Sequence, residues 1–255
     1  MFGVVLMDRL PTGVKGLDEI LNGGLPKGRI ILVVGSPGSG KTTFAMQFLV
    51  GGAKAGEAGL YVTLDEKPER VKENLDSFNW SLDSLEHDGK ITFIDATQLR
   101  RPGQRIIQDR IDTESSVNLV LPELTLGVLA RTIRRVAAEE NIQRIAIDPI
   151  TSLMLRYAEE AKRRRAMLMF FDALESTGCS VIVTSELRTS MLDRDFQLEE
   201  YLSQGVILLH TLMHEGNVIR AVQVEKMRGI SHDPQLRPYQ ITQSGIDVYP
   251  KDKVY

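Results

Sequence analysis

At 255 residues, 42% of them hydrophobic, the chain can bury a full core, and α/β domains of this length are commonly single units, so one domain over residues 1–255 is expected. The balance of 31 Lys and Arg against 34 Asp and Glu leaves a net charge of −3, which excludes a broad positive field for nucleic acid and makes any polyanion site local. A single cysteine, Cys179, excludes an internal disulfide and a cysteine-rich metal knuckle, and its apolar neighbours suggest a buried thiol. No apolar run approaches the roughly 20 residues needed to cross a bilayer, so a cytoplasmic protein without membrane contact is expected, residues 1–7 forming an extended or disordered N-terminus.

In chain order, the first strand-length apolar run, 30–34, leads into Ser36, Pro37, Gly38, Ser39, Gly40, Lys41, Thr42 and Thr43, and then into an amphipathic helix over 42–53. The fit to G-x-x-x-x-G-K-[ST] from Gly35 to Thr42 has a mechanism: glycines let backbone N–H groups converge on phosphate oxygens, Lys41 reaches the terminal phosphates, and Thr42 offers its hydroxyl to Mg²⁺. A second strand at 60–64 ends on Asp65-Glu66 before a helix over 68–78, and a third strand follows at 91–94. Residues 99–122, polar and carrying two prolines, read as a long loop. A helix over 124–140, a strand at 145–147 closed by Asp148, a helix over 159–176 and a strand at 181–184 continue the alternation. Beyond the strand at 206–209 the rhythm changes to short strands at 219–225, 239–242 and 246–249 between Gly and Pro signals. This pattern predicts an α/β fold: a mostly parallel central sheet with helices on both faces and a C-terminal antiparallel extension.

In such sheets the ligand sits at the carboxyl ends of the strands, where the 35–42 loop emerges. Hydrolysis there needs a carboxylate near Mg²⁺ and a group to orient water. Asp148, an acid after a mostly apolar strand, fits the first role as a Walker B aspartate. Asp65 and Glu66 fit the second, with Glu66 favoured as the base; both also suit a plain cap for the helix at Pro68. Thr184, Ser185 and Glu186 end a strand and could sense phosphate, and Lys226 and Arg228, two apart on a strand, point the same way. His87, His210 and His214 lack companions at metal-ligand spacing and read as structural, and Trp80 is expected to pack its helix end against the sheet. No Asn-Lys-x-Asp motif for reading guanine occurs.

These segments together resemble the RecA-like P-loop ATPases, and among them the KaiC family, from Leu10 to Pro250: Gly23-Gly24-Leu25-Pro26-Lys27-Gly28-Arg29, the 62–68 segment with the acidic pair, 147–152, 184–186, and Lys226-Met227-Arg228-Gly229 through His232, in family order. The resemblance implies ATP as ligand, a ring homo-oligomer, usually a hexamer, with ATP at each subunit interface, and Lys226, Arg228 and His232 reaching the neighbour's nucleotide. Glu199-Glu200 falls where the kinase half of KaiC carries its modified Ser-Thr pair, so the resemblance implies an ATPase without autophosphorylation. The family's Glu-Glu is here Asp65-Glu66, which leaves open which acid is the base. Two alternatives accompany this reading. A DNA-handling member of the superfamily would use the basic clusters at 131–135 and 162–165, which the acids at 139–140 and 159–160 disfavour; an ATP-dependent scaffold would recruit an unidentified protein partner with negligible turnover.

Overall fold

A computed structural model of the chain describes residues 8–97, 126–154, 157–187, 197–214 and 216–254. The extended or disordered N-terminus expected over 1–7, the long loop expected over 99–122 and the first two residues of the helix expected from 124 lie outside them. The chain begins with β1 (Arg9–Leu10), α1 (Leu17–Ile20) and β2 (Leu25–Pro26), in which β1 and β2 form a small antiparallel ribbon. Then come β3 (Ile30–Gly35), α2 (Lys41–Lys54), β4 (Ala58–Thr63), α3 (Pro68–Leu75), α4 (Leu82–His87) and β5 (Ile91–Asp95). After them follow α5 (Leu126–Glu139), β6 (Ile142–Asp148), α6 (Thr151–Met154), α7 (Glu160–Glu175), β7 (Ser180–Glu186), α8 (Leu198–Leu202), β8 (Gly205–His214), β9 (Asn217–Met227), β10 (Arg237–Thr242) and β11 (Gly245–Val248).

Nine strands form one sheet in the order β11-β10-β9-β8-β3-β7-β6-β4-β5. The strands from β8 to β5 run parallel, and β9, β10 and β11 extend the sheet antiparallel, as the change of rhythm after residue 206 predicts. The reason is visible in β3, whose residues are all buried: a strand covered on both faces needs an unbroken apolar run. Ile31 and Val33 face the layer holding Phe44 and Phe48 of α2, whereas Ile30, Leu32 and Val34 face the layer holding Ile133 of α5 and Phe170 of α7. Cys179 is buried, as expected.

Differences from the expected elements have physical causes. The β8–β9 hairpin outruns its apolar stretches because an antiparallel pair needs only one covered face, and the outer residues Met213 and Val218 are 70% and 56% exposed. Helix α3 stops at Leu75, short of residue 78, and the chain turns so that Phe78 stacks on Trp80 at 4.6 Å while Trp80 Nε1–H donates to the Ser244 carbonyl at 3.3 Å. Trp80 is thus buried against the β10–β11 turn. The helices α1, α4, α6 and α8 span six residues or fewer, too few to reveal a helical period.

Strand β6 starts at Ile142, ahead of the apolar run, and so takes in Arg144, of which 1% is exposed. Its guanidinium donates to Glu57 Oε2 at 2.6 Å and to the carbonyls of Pro11 and Phe48 at 3.0 and 2.9 Å, and it lies 4.7 Å from the Phe48 ring centroid. One side chain thereby ties the N-terminal segment and α2 to the sheet. Removing one partner of so buried a pair typically costs 3–5 kcal/mol, and Glu57 keeps some solvent, so Arg144→Ala is expected to lower unfolding stability by about 3 kcal/mol. Arg144→Lys, without the fork of donors, should recover less than half of that. Urea unfolding checks both; a midpoint unchanged in Arg144→Ala would contradict the assignment.

Candidate functional site

The loop after β3 turns into α2 through Gly40, whose φ of 90° lies in the left-handed region that favours glycine. At the start of the loop a Cβ on Gly35 would stand 2.3 Å from Ser39 Oγ and 2.8 Å from the Leu209 carbonyl, so close packing also requires glycine there. Tyr239 of β10 braces the loop from behind, its hydroxyl donating to the Ser39 carbonyl at 2.6 Å. Lys41 folds over the loop and donates to the carbonyls of Gly35 and Ser36 at 2.9 and 3.0 Å. Burial lowers its pKa, with Asp148 and Glu186 partly offsetting that effect.

The carboxylate of Asp148 is the point where the elements meet. Oδ2 accepts from Thr42 Oγ1 and from the Tyr61 hydroxyl, each at 2.7 Å, and Oδ1 accepts from the Thr184 hydroxyl. The residue is 7% exposed, so its charge is buried among hydroxyl donors at the ends of β4, β6 and β7 and the start of α2. In front of it opens a cavity of about 500 Å³ whose lining includes Gly40, Lys41, Thr42, Asp65, Glu66 and Asp148, a volume in the usual range for a small-molecule ligand.

The cavity brings together Gly38, Gly40, Lys41, Thr42, Thr43, Asp65, Glu66, Asp148 and Glu186 of the expected residues. Ser36, Pro37 and Ser39 belong to the loop but do not line the cavity; Ser36 donates to Thr211 Oγ1 at 3.4 Å, Pro37 is exposed and Ser39 is fully buried. Neither Asp65 nor Glu66 caps the next helix: the cap position is Lys67, with no side-chain cap bond. Asp65 instead accepts from Ser152 of α6, and Glu66 Oε2 accepts from Asn74 Nδ2 at 2.8 Å.

The structure does not bring Lys226, Arg228 and His232 to the loop of their own chain. Lys226 pairs with Val206, which pairs with Leu32, three positions before Gly35. At about 3.3 Å per residue that places Lys226 about 10 Å back along the sheet and two strands across. Its ammonium donates to the Glu200 carbonyl at 2.6 Å, and burial, then the nearby Arg228, lowers its pKa. Arg228 N–H bonds the Gln204 carbonyl ahead of β8, and His232 precedes Asp233, whose N–H bonds Ile20.

Sequence reasoning missed Tyr61, Asn74 and Ser152. Tyr61 reads only as a strand former, Ser152 gains meaning through a partner 87 residues away, and Asn74 reads as one more polar position on α3 until the turn after β4 brings Glu66, eight residues earlier, against it. Burial first, then the Asp148 carboxylate, raises the pKa of Tyr61 well above 10.0. A raised acid contributes stability that is whole below its unfolded pKa and is lost as pH rises above it towards the folded value. Between about pH 9 and pH 11, wild type should therefore lose more unfolding free energy than Tyr61→Phe. Urea melts at both ends of that range check this, and equal slopes would contradict the burial and pairing of the hydroxyl.

Comparisons with known proteins agree with this geometry. The family model described as the KaiC ATPase matches residues 10–253. The chain is 31% identical to a UPF0273 protein of Thermotoga maritima over 97% of this chain and 98% of that protein, and 35% identical to one of Pyrococcus horikoshii over 96% and 95%. It is also 30% identical to the circadian clock protein KaiC3 of Synechocystis, covering 96% of this chain but 46% of that longer protein. The crystal structure of a KaiC-like protein from P. horikoshii shares the fold with a TM-score of 0.78 and 32% identity, over 96% of this chain and 100% of that one. With an α/β sheet of RecA-like order and a P-loop facing a strand-end aspartate, the chain belongs to the KaiC-like P-loop ATPase family.

Proposed function

We propose that the chain is a Mg²⁺-dependent ATPase that works as a ring, with ATP at each subunit interface, and that it does not phosphorylate itself. The observation that carries this reading is the Thr42–Asp148 pair, 2.7 Å apart beside Lys41 in a cavity that also holds Glu66. A hydroxyl and a carboxylate are hard oxygen donors and fit Mg²⁺, which when bound neutralises charge on the phosphate oxygens. The loop N–H groups and the start of α2 hold the phosphates, and Lys41 exchanges its loop carbonyls for phosphate oxygens. Glu66 takes a proton from water as the water oxygen attacks the γ-phosphorus and the bond to the ADP oxygen breaks.

The distance of Lys226, Arg228 and His232 from their own loop supports a role in trans. A cluster at the far end of the sheet serves a nucleotide only if another copy presents one, and a rigid guanidinium suits the charge that develops on the transferring phosphoryl group. Glu199 and Glu200 are buried and offer no hydroxyl for a phosphoester, which supports the non-phosphorylating reading.

Solution mass and ATP turnover test both parts. Glu66→Gln spoils a subunit's own site, and Arg228→Ala spoils the half-site given to its neighbour. Each variant alone should form rings yet fall at least about tenfold in turnover, given what arginine fingers contribute elsewhere. In a 1:1 mixture about a quarter of the interfaces pair an intact Glu66 with an intact Arg228, so about a quarter of wild-type turnover should return. A monomer with equal turnover in every sample would overturn the reading.

A further inference from the structure

Glu66 is held from two directions. Its backbone carbonyl accepts a bond from the Thr63 hydroxyl at the end of β4, and its side-chain Oε2 accepts from Asn74 Nδ2 at 2.8 Å. Asn74 sits in the last turns of α3, eight residues along the chain, and both side chains line the cavity of the P-loop. The neighbouring acid is engaged elsewhere, because Asp65 Oδ1 accepts from Ser152 and so joins the end of β4 to the first turn of α6.

We propose that Asn74 is the positioning residue of the site: its amide fixes one oxygen of Glu66 and leaves Oε1 to receive the proton from the attacking water. The inference rests on Glu66 being the base for ATP hydrolysis. Asparagine suits this task because its NH₂ group donates, carries no charge into a pocket that must accept phosphates, and takes no proton itself. A glutamate with several free torsions spreads its carboxyl over many orientations, and anchoring one oxygen converts that spread into a single approach for water. The same arrangement separates the roles of the acidic pair, Asp65 acting as a tie between elements and Glu66 as the group that meets water.

Steady-state turnover of the full chain, with nucleotide affinity measured separately by titration with Mg·ATP, tests this. Asn74 is exposed on a helix where alanine is the better helix former, so Asn74→Ala should keep its thermal midpoint. Its kcat should fall about tenfold with ATP affinity within twofold of wild type. Asn74→Asp, which sets a second carboxylate against Oε2, should fall further, about a hundredfold. Adding Asn74→Ala to Glu66→Gln should cost nothing more, since the group being positioned is already gone. A kcat for Asn74→Ala at or above wild type, or a loss that adds in full to that of Glu66→Gln, overturns the positioning role. If Glu66→Gln itself turns over at the wild-type rate, the base assignment falls and the inference with it. A dead Glu66→Gln beside a fully active Asn74→Ala removes the inference alone.

Discussion

A buried carboxylate is costly unless its lone pairs are met, and among the described residues Asp148 meets that cost with hydroxyl donors. The hydroxyls of Thr42, Tyr61 and Thr184 satisfy its lone pairs, and each comes from a different element. The contact therefore does two jobs. It fixes the start of α2 against the ends of β4, β6 and β7, and it keeps negative charge beside the P-loop, where Lys41 feels it. The loop beside it is set by its own constraints: β3 is apolar on both faces, Gly35 has no room for a Cβ against Ser39 and Leu209, Gly40 turns the chain with a positive φ, and Tyr239 braces the loop from the antiparallel extension.

Legibility in the sequence followed how much of each feature is local. The β3–loop–α2 unit was readable because each of its residues has its own physical requirement within one short stretch. Asp148 was readable because a strand-end acid is a local pattern whose meaning comes from the loop beside it. Arg144 was not: a charged residue next to an apolar run reads as a strand edge, and only the fold shows Glu57, Pro11 and Phe48 converging on it. Tyr61 was hidden for a related reason, since in a strand its ring explains its presence and its hydroxyl goes unnoticed. For the acidic pair, capping of the next helix is the plain local alternative to a role at the phosphates, yet Asn74 of α3 and Ser152 of α6 take up the two side chains.

The sheet also gives the proposed ring a geometric rationale. The P-loop lies at one end of β3, and Lys226 and Arg228 lie towards the other, on the far side of β8. A head-to-tail contact between identical copies joins unlike surfaces, so it can set one chain's loop against the next chain's cluster, and such contacts close into rings when the rotation permits. Relatives that match nearly full length, and KaiC3, of which this chain spans about half, show that the same domain occurs both alone and within a longer protein.

Under the proposed function Asp148 serves the metal that accompanies ATP as well as holding strands together. Calorimetric titration of ATP with and without Mg²⁺, in wild type and in Asp148→Asn, tests it most directly, because asparagine preserves shape and some hydrogen bonding while removing the charge. Mg²⁺ should tighten ATP binding to the wild type by at least about tenfold and leave Asp148→Asn nearly unaffected. A full Mg²⁺ effect in Asp148→Asn would contradict it and reduce the aspartate to a structural hub.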